Sequence, residues 1–120
     1  MKKILIVNDN KAMGKLCQKI LLYWKKQFIV KAVQSAEEAL KILDNSFSLV
    51  ITDLNMPGFD GLWLAKKIKH KFNEKIPVII MTRFISKEKI AKANHAGVSV
   101  FLSKPFVAGD FLLVVSRHLY

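Results

Sequence analysis

The chain has 120 residues, 52% of them hydrophobic, with three prolines and five glycines, which suits one domain with its own core and excludes a disordered tract. Twenty Lys and Arg against nine Asp and Glu give a formal charge of +11, a field that favours polyanions such as nucleic acid, acidic protein or anionic lipid. The single Cys17 excludes an intramolecular disulfide, no apolar run approaches the ~20 residues of a membrane span, and Met1-Lys2-Lys3 opens no signal peptide; a cytoplasmic location is expected.

In chain order, Ile4-Leu5-Ile6-Val7 is the first of five apolar runs, the others falling at 28–33, 47–52, 78–82 and 98–102. Their near-continuous Val, Ile, Leu and Phe content predicts strands buried on both faces, as in a parallel sheet. Helical spacing fills the gaps. Met13, Leu16, Cys17, Ile20, Leu21 and Trp24 form one apolar stripe, with Cys17 as a small buried group. Ser35-Ala36-Glu37-Glu38 reads as a capping box opening a second helix through Leu43. A third helix is predicted from about Asp60 to Phe72. Trp63 lies off its Leu62, Ala65, Ile68 and Phe72 stripe and is expected at the surface. A fourth spans Ser86 to Ala96, with Gly97 at its C-cap. The fifth begins near Ala108, with Phe111, Leu112, Val115 and Leu119 inward and Leu113 and Val114 outward.

Strict alternation of strand and helix predicts a doubly wound α/β fold. The expected architecture is a five-stranded parallel sheet in the order 2-1-3-4-5, a flavodoxin-like three-layer sandwich, with residues 1–120 as a single domain and no effector domain. Ligands of such sheets gather at the carboxyl ends of the strands, near the switch in strand order. Asp9, Asp53, Thr82 and Lys104 each follow an apolar run and so converge on that edge. Two carboxylates beside a hydroxyl and an ammonium suit a divalent cation and a phosphoryl group. The loop Asn10-Lys11-Ala12-Met13 lacks the Gly, Ser and Thr run that would wrap a flavin phosphate, which disfavours that use of the fold.

The motifs Ile4 to Asp9, Asp53-Leu54-Asn55-Met56-Pro57-Gly58-Phe59-Asp60-Gly61, Met81-Thr82, and Ala96-Gly97 leading to Phe101 and Lys104-Pro105-Phe106 resemble the receiver domains of two-component response regulators over essentially the whole chain. The resemblance implies that Asp53 is the phosphoacceptor, attacking a phosphohistidine on a histidine kinase or phosphotransfer protein. It implies Mg2+ held by Asp9, Asp53 and the Asn55 backbone carbonyl, with Lys104 pairing with the phosphoryl oxygens through a strand end whose Lys104-Pro105 bond is typically cis. Thr82 matches the switch hydroxyl and Phe101 the switch aromatic. By the same resemblance the chain is a signalling switch rather than an independent enzyme. The helix 4, strand 5 and helix 5 surface would meet partners, a homodimer included, because Leu113 and Val114 leave an apolar patch rimmed by Lys87, Lys89 and Lys92.

Two residues depart from the family pattern. Asn8 stands where a second acid is usual, which removes a charge while leaving a carbonyl able to bond a metal-bound water. Arg83 follows Thr82 where a small residue is usual, at the doorway to the site, where it would either crowd a donor or grip phosphate. Together they define the alternative, a degenerate pseudo-receiver that binds protein or nucleic acid without phosphate. Nucleic acid is the less favoured partner, because no aromatic-rich strand or recognition helix accompanies the charge.

Overall fold

The computed structural model describes residues 2–73 and 75–120. Five strands and five helices alternate: β1 (Lys3–Val7), α1 (Lys11–Trp24), β2 (Ile29–Val33), α2 (Ala36–Ile42), β3 (Leu49–Asp53), α3 (Gly61–Phe72), β4 (Val78–Thr82), α4 (Lys87–Ala96), β5 (Val100–Ser103) and α5 (Ala108–Leu119). All pairings are parallel and the order is β2-β1-β3-β4-β5, as the alternation of elements predicts.

Pleating sends successive side chains to opposite faces, so the sheet divides the core in two. Leu5, Val7, Val50, Val78 and Ile80 meet Ala39, Leu64, Ile68 and Ala96 on the side of α2, α3 and α4. Ile4, Ile6, Leu49, Ile51, Ile79 and Met81 meet Cys17, Leu21, Phe111 and Val115 on the side of α1 and α5. Fully buried side chains such as Phe111 and Ile68 each contribute about 1.5–3 kcal/mol of transfer free energy.

β2 departs from expectation. It lies at the sheet edge and three of its five residues are exposed, so its apolar letters do not report burial on both faces. Lys31 at its centre is exposed, and Gln18 of α1 donates through Nε2 to the Val30 carbonyl at 3.0 Å, both of which blunt a free edge. On α1, Leu16 is 48% exposed although it belongs to the apolar stripe, because α5 and the sheet cover only the Cys17 and Leu21 side.

Side chains cap four helices: Asn10, Ser35, Asp60 and Ser86 each accept from the backbone N–H three residues on. At Ser35 the box is only half formed, because the Glu38 carboxylate accepts from the Gln34 N–H at 3.5 Å instead of from Ser35. Gly97 closes α4 at φ +79°, a left-handed conformation that excuses its missing side chain. On α5, Leu113 is exposed as expected, whereas Val114 is partly buried against the α1 and α5 core.

Candidate functional site

β3 delivers Asp53 to the carboxyl edge of the sheet after Leu49, Val50, Ile51 and Thr52, all buried; Asp53 itself is 8% exposed. Leu49, Ile51 and Asp53 share the face that looks toward α1 and α5. Lys104 arrives over the same face from the end of β5. Its N–H donates to the Thr82 carbonyl at 2.8 Å, its bond to Pro105 is cis, and its Nζ lies 2.6 Å from Asp53 Oδ1. That is a short charge-assisted contact between two side chains only 18% and 11% exposed, where water screens it little. Below it lies Cys17, whose thiol is pushed up from its ordinary 9.0 to about 11, chiefly by burial, with Lys104 opposing and Asp53 adding to the rise.

Gly61 carries no weight in the sequence reading beyond its place in a motif, yet it sets how near α3 comes to Asp53. A Cβ at Gly61 would stand 2.5 Å from the Asp53 carbonyl oxygen and 3.2 Å from Leu54 Cα. Only a residue without Cβ lets the Gly61 N–H donate to the Leu54 carbonyl at 2.9 Å. The signal available in the sequence was an Asp-Gly pair in which Asp60 caps the helix and Gly61 begins it.

Thr82 is 1% exposed, at the end of β4, on the opposite face from Asp53 and on the same face as Phe101, which pairs two residues back, opposite Ile80. Its hydroxyl accepts from the Phe84 N–H at 3.4 Å. Phe101 is partly buried against the α2, α3 and α4 core.

Val7 pairs with Thr52, so the chain leaves β1 and β3 at the same level. Asp9 and Asn55 both follow those strands on exposed loops. Asn8 is 2% exposed; its Oδ1 accepts from the Asn10 N–H at 2.9 Å and its Nδ2 is buried without a partner among the described residues. Arg83 is exposed and joins Lys104, Met13, Leu16, Pro105 and Phe106 around a cleft of about 340 Å³ beside Asp53. Trp63, expected at the surface, is partly buried against the core and stacks on Phe59 at 3.9 Å, because the loop ahead of α3 folds back over the helix.

The sheet order, with a lysine-clamped carboxylate beside the switch point, defines a doubly wound domain of the receiver class. The sequence profile of the response regulator receiver domain matches residues 4–116, and the chain belongs to that family. It is 38% identical over 117 residues to the response regulator protein FleR of Pseudomonas aeruginosa, covering 97% of this chain and 24% of FleR. It thus spans about a quarter of that relative's length. To the chemotaxis protein CheY-3 of Vibrio cholerae it is 34% identical over 111 residues, covering 88% of this chain and 82% of that one. The solved structure of Vibrio cholerae CheY4 superposes with a TM-score of 0.90 at 26% identity, covering 99% of each chain. The strand order and helix arrangement expected from sequence therefore hold. Among the described residues, no helix is long and apolar enough to cross a membrane.

Proposed function

We propose that Asp53 accepts a phosphoryl group from a phosphohistidine on a histidine kinase or phosphotransfer protein. The observation that carries this reading is the 2.6 Å contact of Lys104 Nζ with Asp53 Oδ1 at a buried strand end. A carboxylate oxygen of Asp53 attacks phosphorus, the bond from phosphorus to the imidazole nitrogen breaks, and the imidazole leaves with that electron pair and takes a proton. Lys104 then exchanges its partner, from the carboxylate to the phosphoryl oxygens. Water later hydrolyses the acyl phosphate, so the domain acts as a switch rather than as an enzyme of independent substrates, in the cytoplasm where such kinases present their phosphohistidine.

The donor set fits Mg2+. Asp9 is exposed and free of any ion pair among the described residues, and with Asp53 and the Asn55 carbonyl it offers hard oxygens at adjoining strand ends. When bound, the ion would supply positive charge to the transferring oxygens. Asn8 adds a neutral amide beside them, its carbonyl already accepting one hydrogen bond from Asn10.

Phosphorylation adds nearly two negative charges and three acceptors at the end of β3, which pairs with the Met81 end of β4 just before Thr82. The Thr82 hydroxyl would leave the Phe84 N–H for the phosphoryl group, the loop from Arg83 to Ser86 would follow, and Phe101 would turn into the space released. The α4, β5 and α5 surface would report this. Phe84 is 73% exposed and Leu113 52% exposed, with Ile85 and Ile90 also outside, exposed apolar side chains of the kind that suit a partner or a homodimer. Sedimentation of wild type and Leu113→Glu, each with and without beryllofluoride, tests the homodimer, which four monomeric samples would remove.

A second reading, a pseudo-receiver that binds partners without phosphate, draws on the orphaned Asn8 Nδ2 and on Arg83 at the cleft. Intact mass after incubation with acetyl phosphate separates the two. The receiver predicts one phosphate adduct that needs Mg2+ and disappears in Asp53→Asn. An unmodified mass under all conditions favours the pseudo-receiver.

A further inference from the structure

The amino ends of the strands and the carboxyl ends of the helices form the edge of the domain opposite Asp53. A linked run of contacts crosses the part of this edge where α1 and α5 end. The Lys2 carbonyl, just ahead of β1, accepts from the Ile29 N–H at 2.9 Å, and Lys2 Nζ lies 5.4 Å from the ring centre of Tyr120, which follows α5. The Phe28 N–H donates to the Lys25 carbonyl at 3.2 Å. The Phe28 ring meets Trp24 edge to face at 5.7 Å, and Lys25 Nζ lies 5.5 Å from the Trp24 ring centre. Tyr23, in the last turn of α1, is 91% exposed and Tyr120 is 72% exposed; Leu22, Lys26, Ile29 and Arg117 are exposed as well.

The acids of the chain lie elsewhere. Of the nine Asp and Glu, only Asp44 and Glu74 fall between the end of a helix and the start of the next strand, and Glu74 is outside the described residues. The other seven stand at strand ends, helix caps or first helical turns, which belong to the Asp53 edge. Bonds from Ser46 and, more weakly, the Lys3 ammonium hold the Asp44 carboxyl below its ordinary range, so this acid has its own cation. Lys2, Lys25, Lys26 and Arg117 have no anionic partner among the described residues. A ring face does not neutralise an ammonium, so Tyr120 and Trp24 leave the charges of Lys2 and Lys25 in place. A helix C-terminus draws a cation to its last turn, which accounts for Arg117 but not for Lys2 ahead of a strand or Lys26 in the loop after α1.

We propose that this edge docks on the anionic surface of a lipid bilayer. The ammonium and guanidinium groups meet lipid phosphates, and the Tyr23, Trp24 and Tyr120 rings sit at the level of the headgroups, where amphipathic aromatic side chains are favoured. Charge complementarity calls for an anion. Leu22 and Ile29, exposed aliphatic side chains with no hydrogen-bonding group, call for an anion that has an apolar layer beneath its charge. Single-stranded nucleic acid could stack on the rings but offers nothing to that aliphatic pair. The same polarity orients the domain, because the edge that carries seven of the nine acids is turned away from the bilayer. The inference is independent of phosphorylation at Asp53.

The test is cosedimentation of the whole chain with vesicles of phosphatidylcholine alone, or of phosphatidylcholine and phosphatidylglycerol in equal parts, at low and at physiological salt. Binding is expected to the anionic vesicles and should weaken as salt rises. Lys25→Glu/Lys26→Glu reverses charge in the patch, and Lys11→Glu/Lys15→Glu makes the same change in net charge at exposed positions toward the other end of α1. The patch variant should bind at least about tenfold more weakly and Tyr23→Ser about threefold, while the other charge pair changes binding less than about twofold. Equal binding to neutral and anionic vesicles, equal loss in both charge variants, no effect of Tyr23→Ser, or no binding at low salt would each overturn the proposal. So would a patch variant that loses a labelled oligothymidylate but keeps the vesicles, which assigns the edge to nucleic acid. Thermal melts show whether each variant folds. If the reversed pair does not, Lys25→Gln/Lys26→Gln should give a smaller loss in the same direction, and an unchanged affinity there would overturn the proposal.

Discussion

Gly61→Ala places a methyl group where the structure has no room for it. The new Cβ would start 2.5 Å from the Asp53 carbonyl oxygen, against 3.4 Å for an ordinary contact, so about 0.9 Å (3.4 − 2.5) must be recovered. The obstructing atoms are backbone and cannot rotate away. Either the first turn of α3 withdraws and the 2.9 Å bond from the Gly61 N–H to the Leu54 carbonyl fails, or the Asp53 peptide shifts. Overpacking of this kind costs about 1–3 kcal/mol and the lost hydrogen bond about 0.5–1.5 kcal/mol, so a loss of about 2–4 kcal/mol is expected. At about 4 °C for each kcal/mol in a chain of this size, Tm falls by about 8–16 °C. The phosphoacceptor's own peptide is the one displaced, so uptake from acetyl phosphate should also slow in the protein that remains folded. Gly109→Ala is the matched control: it too lies in the first turn of a helix, with nothing within 4 Å of the added Cβ. Helix propensity makes that change neutral or stabilising by up to about 1 kcal/mol. Circular dichroism melts of the three proteins decide the matter. Equal Tm values for Gly61→Ala and wild type would refute the close-approach argument.

Asn8→Asp replaces a buried amide whose Nδ2 has no partner with a carboxylate, and Mg2+ should bind at least about threefold tighter through added Coulomb attraction, measured by Trp fluorescence titration; equal affinities would place residue 8 beyond the ion's influence. Arg83→Ala opens the cleft beside Lys104, and both uptake from acetyl phosphate and spontaneous loss of phosphate should accelerate. A shortened phosphate lifetime with unchanged uptake would instead mean that the guanidinium grips the phosphoryl group. Cys17 supplies a pH dependence. Its thiol is raised from 9.0 to about 11 by burial, so its contribution is intact below pH 9 and is lost as pH rises toward 11, where the unfolded chain ionises first. The loss approaches about 2–3 kcal/mol, and urea midpoints should fall more steeply over that range in wild type than in Cys17→Ala. Identical slopes would show that the thiol ionises without penalty in the fold.

Much of the fold was legible because apolar runs and helical stripes report how a segment repeats. They do not report what lies over it. β2 has nearly the same letters as β1, yet it ends the sheet and three of its residues face outward, a consequence of strand order and not of composition. Leu16 shares a stripe with Cys17 and is half exposed because no element covers that side of α1. Trp63 left the stripe of its own helix and still became partly buried, since the Phe59 loop returns to cover it. At the site, the strand ends identified Asp9, Asp53, Thr82 and Lys104 as candidates. The contact between Lys104 and Asp53, and the opposite face taken by Thr82, follow from register and from the path of the chain into Pro105. The close approach at Gly61 depends on how α3 settles against the Asp53 peptide, and the Asp60-Gly61 pair at the start of that helix is its only local signal.

The central claim is that Asp53, rather than any neighbouring carboxylate, takes the phosphoryl group. Borohydride reduces an acyl phosphate to the alcohol, which converts a phosphorylated aspartate to homoserine and marks the residue that carried it. Peptide mapping after incubation with acetyl phosphate and Mg2+, followed by borohydride, should find homoserine at position 53 alone and at no position in an EDTA-treated sample. Homoserine at Asp9 or Asp60, or none anywhere in a sample that gained phosphate by mass, would contradict it.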